Sequence, residues 1–485
     1  MLLRAVLLVA FAAAVLAAPV LAFDNTEPLA DKQWYLTKDS AWTFWATQPK
    51  LAPISVAVID SGIDGTHPDL VGRVVAAKSF VGGSPYRDDN GHGTFVAGLI
   101  AANPSNNEGI AGLGFNVRLM IAKVVDPNGT ISLPGEVAAI RWAVDNGARV
   151  INLSLGGVRD PLNPRLDVYS PLEQAAIEYA YSRGVTVVAA VGNGPQSPAT
   201  PWNFADYPAA LPHVIGVSAV RQDGAVPDYS NRDAVFNDIA APGAAIFSTI
   251  PQNLTADRAD CANRPYSDCG TEELREGIGT SFSAPQVSAA AALLLGQDPA
   301  LKPDQVSWLL ERSADDANPA SGCSVCPVGR DLYTGWGTLD VQKALTMLGT
   351  GPLPAPDRYE PNDDAGPWAH ALPPLPRTIQ ASLDFWDDDT DVYRVTMTQG
   401  ARLFARLTTP SPVRLTLWAP GTKRVEIVPG TKFVDSRVAL SRRVGTQVRL
   451  AYRAATSGTY YLEAKLVSAV RGPVEYRLAL TRSAP

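Results

Sequence analysis

Three residues of complementary chemistry stand out in the chain. They are Asp60 in Val58-Ile59-Asp60-Ser61-Gly62, His92 in Gly91-His92-Gly93-Thr94, and Ser281 in Gly277-Ile278-Gly279-Thr280-Ser281-Phe282-Ser283-Ala284-Pro285. A serine hydroxyl becomes a nucleophile when an imidazole takes its proton, and a carboxylate fixes the imidazole tautomer and stabilises the imidazolium. Each residue also has an ordinary structural role, as turn cap, packed histidine and helix N-cap. For any one of them that role is the commoner; together they supply what acyl transfer needs. Asn193, in Val191-Gly192-Asn193-Gly194, adds an amide donor suited to developing negative charge, with a turn residue before glycine as the alternative.

The elements around these residues place them at ends. Ile54–Ile59 is β-branched and apolar, as in a buried parallel strand, and it runs straight into Asp60. Gly91–Thr94 opens an apolar helix over Phe95–Ala102, which sets His92 at a helix start. Ser281 precedes Pro285 and an alanine- and leucine-rich helix, near backbone N–H groups and the positive end of the dipole. Further strands are expected at Leu119–Val125, Val150–Leu155, Thr186–Ala190 and Val214–Ala219, with helices at Gly135–Asn146 and Leu172–Arg183. Such alternation predicts an α/β fold, a doubly wound parallel sheet with helices on both faces.

At 485 residues the chain is long enough for two or three domains, and its 46% hydrophobic and 18% charged content suits globular cores. A net charge of −7 argues against nucleic acid or anionic membrane as partners, and a monomer is expected. Arg4 followed by the apolar Ala5–Ala18 and Val20-Leu21-Ala22 has the form of a secretory signal peptide cut after Ala22, with an uncut anchor as the alternative. Export makes two local disulfides the expectation for Cys261, Cys269, Cys323 and Cys326, although spacing alone leaves three connectivities open.

Val58–Asp64, Asn90–Gly98 and Gly279–Pro285, in this order, resemble the three signatures of the subtilisin-like serine proteases. The resemblance covers roughly Asp31 to Leu348. It implies a secreted endopeptidase with Asp60, His92 and Ser281 as the triad, and Asn193 with the Ser281 N–H as the oxyanion hole. Ser154, Leu155 and Gly156 would pair with a peptide substrate as an added strand. Asp206, before Tyr207-Pro208-Ala209, falls where the family places the base of its primary specificity pocket, and a carboxylate there would favour Arg or Lys. Asp69, Asn103, Asn106, Glu108 and Ile110, joined by Asp31, resemble parts of the family's strong calcium site, whose hard oxygen ligands suit Ca2+.

Departures from the family pattern are Phe282 where Met usually follows the serine, and Phe95 and Leu99 in the histidine helix. Phe282 is expected to form an aromatic wall beside the nucleophile. No room for the family's usual pro-domain is expected between Ala22 and Asp31. Two other functions compete with this reading. A catalytically dead scaffold would have a broken triad, and an esterase would use a G-x-S-x-G elbow with histidine last; neither feature is present.

The expected domains are a signal peptide 1–22, a peptidase domain 23–348, a Gly/Pro-rich linker 349–357 and a β-sandwich 358–485. In the last, apolar residues alternate with polar ones at Tyr393–Met397, Leu403–Leu407, Val413–Leu417, Tyr460–Leu466 and Tyr476–Leu480. Tyr359-Glu360-Pro361-Asn362-Asp363-Asp364 resembles the bacterial pre-peptidase C-terminal domain. The acidic run Asp387–Asp389 with Asp391 is read as a solvated turn, with an ion shared with Glu360 and Asn362 as the alternative.

Overall fold

The computed structural model describes residues 25–42, 45–163, 165–254, 274–354, 356–386, 388–425, 436–468, 470 and 472–484. The signal-peptide stretch, Cys261, Cys269 and Asp387 lie outside the described residues. A short helix α1 (Trp34–Lys38) leads to β1 (Ile54–Asp60), β2 (Val74–Ser79), α2 (His92–Ala101), β3 (Val117–Lys123), α3 (Leu133–Asp145) and β4 (Val150–Leu153). Then come α4 (Pro171–Ser182), β5 (Thr186–Ala190), β6 (Val214–Val220), β7 (Ile239–Pro242), the pair β8 (Ile246–Thr249) and β9 (Leu274–Gly277), α5 (Ala284–Gln297), α6 (Pro303–Ser313) and α7 (Val341–Leu348).

Seven strands form one parallel sheet in the order β2-β3-β1-β4-β5-β6-β7. Because side chains alternate along a strand, the sheet feeds two cores. Val56, Val58, Leu119 and Val188 join α2, α5, α6 and α7 on one face. Ala57, Ile59, Met120 and Val187 join α3 and α4 on the other. Helix α5 is apolar almost all round and buries every residue from Ala284 to Gly296. Truncating one of its leucines, such as Leu293→Ala, would cost about 2–5 kcal/mol.

Beyond α7 the chain forms a second layer pair. Strands β10 (His370–Ala371), β11 (Arg377–Leu383), β12 (Thr390–Met397), β13 (Arg402–Thr408), β14 (Val413–Trp418), β15 (Arg437–Leu440), β16 (Arg442–Val444), β17 (Gln447–Arg453), β18 (Gly458–Leu466) and β19 (Val474–Ser483) make two five-stranded sheets. Their orders are β10-β12-β18-β14-β15 and β11-β19-β13-β17-β16; all pairings are antiparallel except β10 with β12. The inward-facing residues form a core of their own.

The sandwich packs on the layers of the seven-stranded sheet through specific contacts. The Trp336 and Trp386 rings stand 4.0 Å apart, and His213 Nδ1 and Nε2 lie 3.0 Å from Glu178 Oε2 and 2.6 Å from Asp363 Oδ2.

Several sequence expectations need correction. Strand β4 stops at Leu153, so Ser154–Gly156 lies beyond the ladder. Strands β2 and β7, the β8–β9 pair and helix α6 were not anticipated. Asp391 is no solvated turn residue: it is fully buried, and its carboxylate accepts from Asn362 and, at 2.6 Å, from the Tyr476 hydroxyl. Cys323 and Cys326 form the expected local disulfide. No helix among the described residues is long and apolar enough to cross a membrane.

Candidate active site

The carboxyl ends of the parallel strands gather the candidate residues, as open α/β sheets place their ligands. Asp60 ends β1 and is buried, and its Oδ1 accepts the Ser61 N–H at 2.7 Å. His92 opens α2, with Nδ1 2.9 Å from both Asp60 carboxylate oxygens. Nδ1 must carry the proton to face two acceptors, which leaves Nε2 as the basic nitrogen. Burial disfavours the imidazolium, but the charge and hydrogen bond of Asp60 and the charge of Asp88 outweigh it, so the His92 pKa is raised.

Two local features allow this approach. Gly93 lies against the strand end: a Cβ there would stand 2.2 Å from the Gly62 carbonyl oxygen. Asp88, fully buried, holds the start of α2 by accepting from the N–H groups of Gly91 (2.7 Å) and Thr94 (2.8 Å) and from the hydroxyls of Ser61 (2.8 Å) and Thr94 (2.7 Å). The sequence reading missed Asp88. Its signal was a carboxylate four residues before the histidine, within reach of a helix's unpaired N–H groups.

Ser281 lies in a 3₁₀ turn, Thr280–Phe282, rather than on α5 itself, whose N-cap is Ser283. The Ser281 hydroxyl donates to the Ser154 carbonyl at 3.2 Å, and the Ser154 hydroxyl donates back to the Ser281 carbonyl at 2.8 Å. Ser154 in turn accepts from Asn152 Nδ2 at 2.9 Å, and Asn152 Oδ1 accepts from the Ser288 hydroxyl of α5 at 2.9 Å. The serine turn is thereby tied to the end of β4.

Asn193, past β5, accepts through Oδ1 from the Thr280 N–H at 3.0 Å and the Thr280 hydroxyl at 3.2 Å. A Cβ built on Gly279 would lie 3.8 Å from both Asn193 Nδ2 and Ser281 N, so these two donors flank the same spot. Phe282 corrects an expectation. It is fully buried, with its ring 4.1 Å from Phe95 and 5.6 Å from His92, so it supports the imidazole and lines no cleft.

Beside Ser281, Ser154 is buried, Leu155 half-buried and Gly156 exposed, and the next residue, Gly157, bridges to Tyr207 by two 2.9 Å bonds. Asp206 is buried next to this bridge. A Cβ on Gly192, whose φ is 98°, would stand 2.1 Å from Asp206 Oδ2, so the backbone before Asn193 lies directly against the carboxylate. Asp206 Oδ1 is buried without a hydrogen-bond partner. Burial pushes the Asp206 pKa up to about 7, against the lowering effect of Arg159.

Asp69 accepts from Asn106 Nδ2 and the Ile110 N–H, each at 3.1 Å, and the Asn103 N–H bonds its carbonyl at 2.8 Å. Asp31 stands exposed in the 3₁₀ turn Ala30–Lys32. The N-terminal carboxylate that reaches this loop belongs to buried Glu27, whose Oε2 accepts the Glu108 N–H at 2.8 Å; the Glu108 side chain is exposed. Desolvation comes first in raising both the Glu27 and the Asp69 pKa, and Asp69 adds to the rise at Glu27. Two carboxylates turned to one loop, with amide and carbonyl oxygens near, suit a hard cation. Among the described residues, His213, Glu360 and Asp363 also converge within 4.8 Å, at the domain interface.

A doubly wound parallel sheet with a carboxylate, an imidazole and a serine hydroxyl at one end of its strands defines a subtilisin-like serine endopeptidase. Residues 52–337 match the model of the subtilase family, and the chain belongs to that family. It is 35% identical to subtilisin DY of Bacillus licheniformis over 296 residues, covering 61% of this chain and 92% of that protein. It is 33% identical to fervidolysin of Fervidobacterium pennivorans over 348 residues, covering 68% of this chain but 45% of that protein. The crystal structure of a lanthipeptide protease superposes with a TM-score of 0.53 at 25% identity, covering 65% of this chain and 94% of that one.

Proposed function

We propose that this chain is an exported endopeptidase that cleaves protein substrates through an acyl-enzyme. The Ser281 Oγ attacks the scissile carbonyl, and His92 Nε2 takes its proton and passes it to the departing amine as the C–N bond breaks. Water then attacks the ester by the same route and restores Ser281. Asp60 holds the imidazole tautomer and stabilises its cation. The oxyanion is met by Asn193 Nδ2 and the Ser281 N–H; one such donor is worth about 2.7–4 kcal/mol of barrier. The backbone of Ser154, Leu155 and Gly156, beyond the ladder of β4, receives the substrate as a strand. Asp206 sits at the base of the primary pocket and selects Arg or Lys.

The observation that carries the mechanism is His92 Nδ1 at 2.9 Å from both oxygens of buried Asp60, on the strand-end face that also holds the Ser281–Ser154 exchange. Calcium, held by Glu27, Asp69, Asn106 and loop carbonyls, would neutralise two buried carboxylates and tie the N-terminal segment to the loop before Ile110. Export rests on residues 1–22, and the boundaries 23–348, 349–357 and 358–485 are proposed for peptidase domain, linker and sandwich. Labelling by a serine-directed fluorophosphonate with casein hydrolysis, both lost in Ser281→Ala, tests the assignment. Casein hydrolysis retained by Ser281→Ala would end it, and an unlabelled, inactive wild type would favour a dead scaffold.

A further inference from the structure

Arg424 belongs to the sandwich, just after β14, yet its guanidinium is buried against the peptidase layers. Nη1 donates to the Tyr207 hydroxyl at 3.2 Å and Nη2 to the Ala210 carbonyl at 2.9 Å, while Nε faces Asp364 Oδ2 at 3.4 Å. The Tyr169, Tyr207 and Phe236 rings stand 5.6, 5.8 and 5.3 Å from its Cζ. Asp364 is itself held by the N–H groups of Ala365 (2.7 Å) and Val425 (2.8 Å) and by Gln174 Nε2 of α4 (3.3 Å). The guanidinium is thus fixed from both domains, and its fork geometry uses separate nitrogens for separate acceptors.

Tyr207 is the residue on which two parts of the cleft meet. It follows Asp206 directly, and its backbone N–H and carbonyl bridge to Gly157, which continues Ser154–Gly156. The Asp206 carbonyl accepts the Ala210 N–H at 2.9 Å, so Asp206–Ala210 forms one turn, and Arg424 grips that turn at Tyr207 and at Ala210. Within the peptidase layers the Tyr207 hydroxyl also donates to Asp167 Oδ1 at 3.4 Å, but among the described residues it is Arg424 that ties Tyr207 and Ala210 together. We propose that Arg424 is a positioning residue for the primary specificity pocket, through which the C-terminal domain fixes the turn carrying Asp206 and so sets how a basic side chain is bound. The proposal rests on the placement of Asp206 at the base of that pocket. A charge pair in a desolvated pocket depends strongly on placement, whereas Ser281 is held by its exchange with Ser154.

The test uses the full chain, active-site titration to normalise enzyme, and peptide anilides differing only in Arg or Ala before the scissile bond. Arg424→Ala should raise KM for the Arg substrate by roughly tenfold, with kcat, and both constants for the Ala substrate, within about twofold. Arg424→Lys, which keeps charge but lacks the fork, should fall between. Tyr207→Phe, which spares the fold if Arg424→Ala does not fold, removes the hydroxyl's bonds to both Arg424 and Asp167 and should show the same KM-only effect, whereas Asp167→Asn, which alters only the second bond, should not. Adding Arg424→Ala to Asp206→Gly should change nothing further. An equal loss on both substrates, an effect on kcat alone, or no effect would overturn the proposal. If Asp206→Gly itself leaves the Arg-to-Ala ratio unchanged, the pocket assignment has failed, and that result is separate from any obtained with Arg424.

Discussion

The Phe282 ring lies 5.6 Å from the His92 imidazole, its plane tilted 33° from it, and it is wholly buried between His92 and Phe95. The residue after the proposed nucleophile is therefore a support for the proposed base. A Met in this place can be oxidised to a larger, polar sulfoxide, whereas Phe has no sulfur. Met120 and Met397 are buried in cores on the other face of the sheet and in the sandwich, and half-buried Met347 lies on α7, outside the proposed triad. Activity should therefore survive peroxide, and Phe282→Met, which gives up the ring contact with Phe95, should make it peroxide-sensitive. Residual activity timed against peroxide exposure checks this; rapid loss in the wild type would contradict it.

The His92 pKa is raised by Asp60 and Asp88 against the opposing effect of burial. Only neutral His92 can accept the serine proton, so activity should rise with pH through an inflection above the ordinary histidine value of about 6.5. Asp88→Asn keeps the shape and removes the charge. It should move the acid limb of kcat/KM to lower pH, and an unmoved or upward-shifted limb would refute the electrostatic role. Asp88→Ala also strips acceptors from buried N–H groups and should cost about 1–3 kcal/mol for each group left unpaired.

Asp206 has a pKa of about 7 through burial. Preference for Arg or Lys before the scissile bond should therefore strengthen as pH rises through about 7 and fade below it. The linkage to stability has the opposite sense. The folded chain keeps this proton to about pH 7, whereas the unfolded chain releases it near 3.8, so this group's contribution to stability falls as pH rises between the two. Asp206→Asn should leave Tm unchanged near pH 4 and raise it at pH 8, as calorimetry at the two values would show.

Calcium should stabilise the fold through the loop before Ile110. A chelator should lower Tm, since ligand at a hundred times Kd contributes about 2.7 kcal/mol. Glu27→Gln and Asp69→Asn should remove the chelator response, and exposed Asp31→Asn should keep it. A Tm indifferent to chelator in the wild type would dismiss the site.

The sequence by itself determined the parts of this protein that depend on local pattern. Ile54–Ile59 and Thr186–Ala190 could be read as strands because β-branched residues fit a doubly covered sheet. Asp60, His92 and Ser281 could be picked out because a strand end, a glycine-flanked helix start and a turn before Pro285 each carry a short signature. Only the tertiary structure decided what depends on contact across the chain. Asp88 was silent until its donors surrounded it, and buried Glu27 reached the Glu108 N–H by a contact that no spacing reveals. Phe282 turned beneath His92 instead of into the cleft because Phe95 offered a face to pack on. Arg424 meets Tyr207 across 217 positions of chain, and no local pattern encodes such a bond, since its geometry is created by the packing of two separate cores.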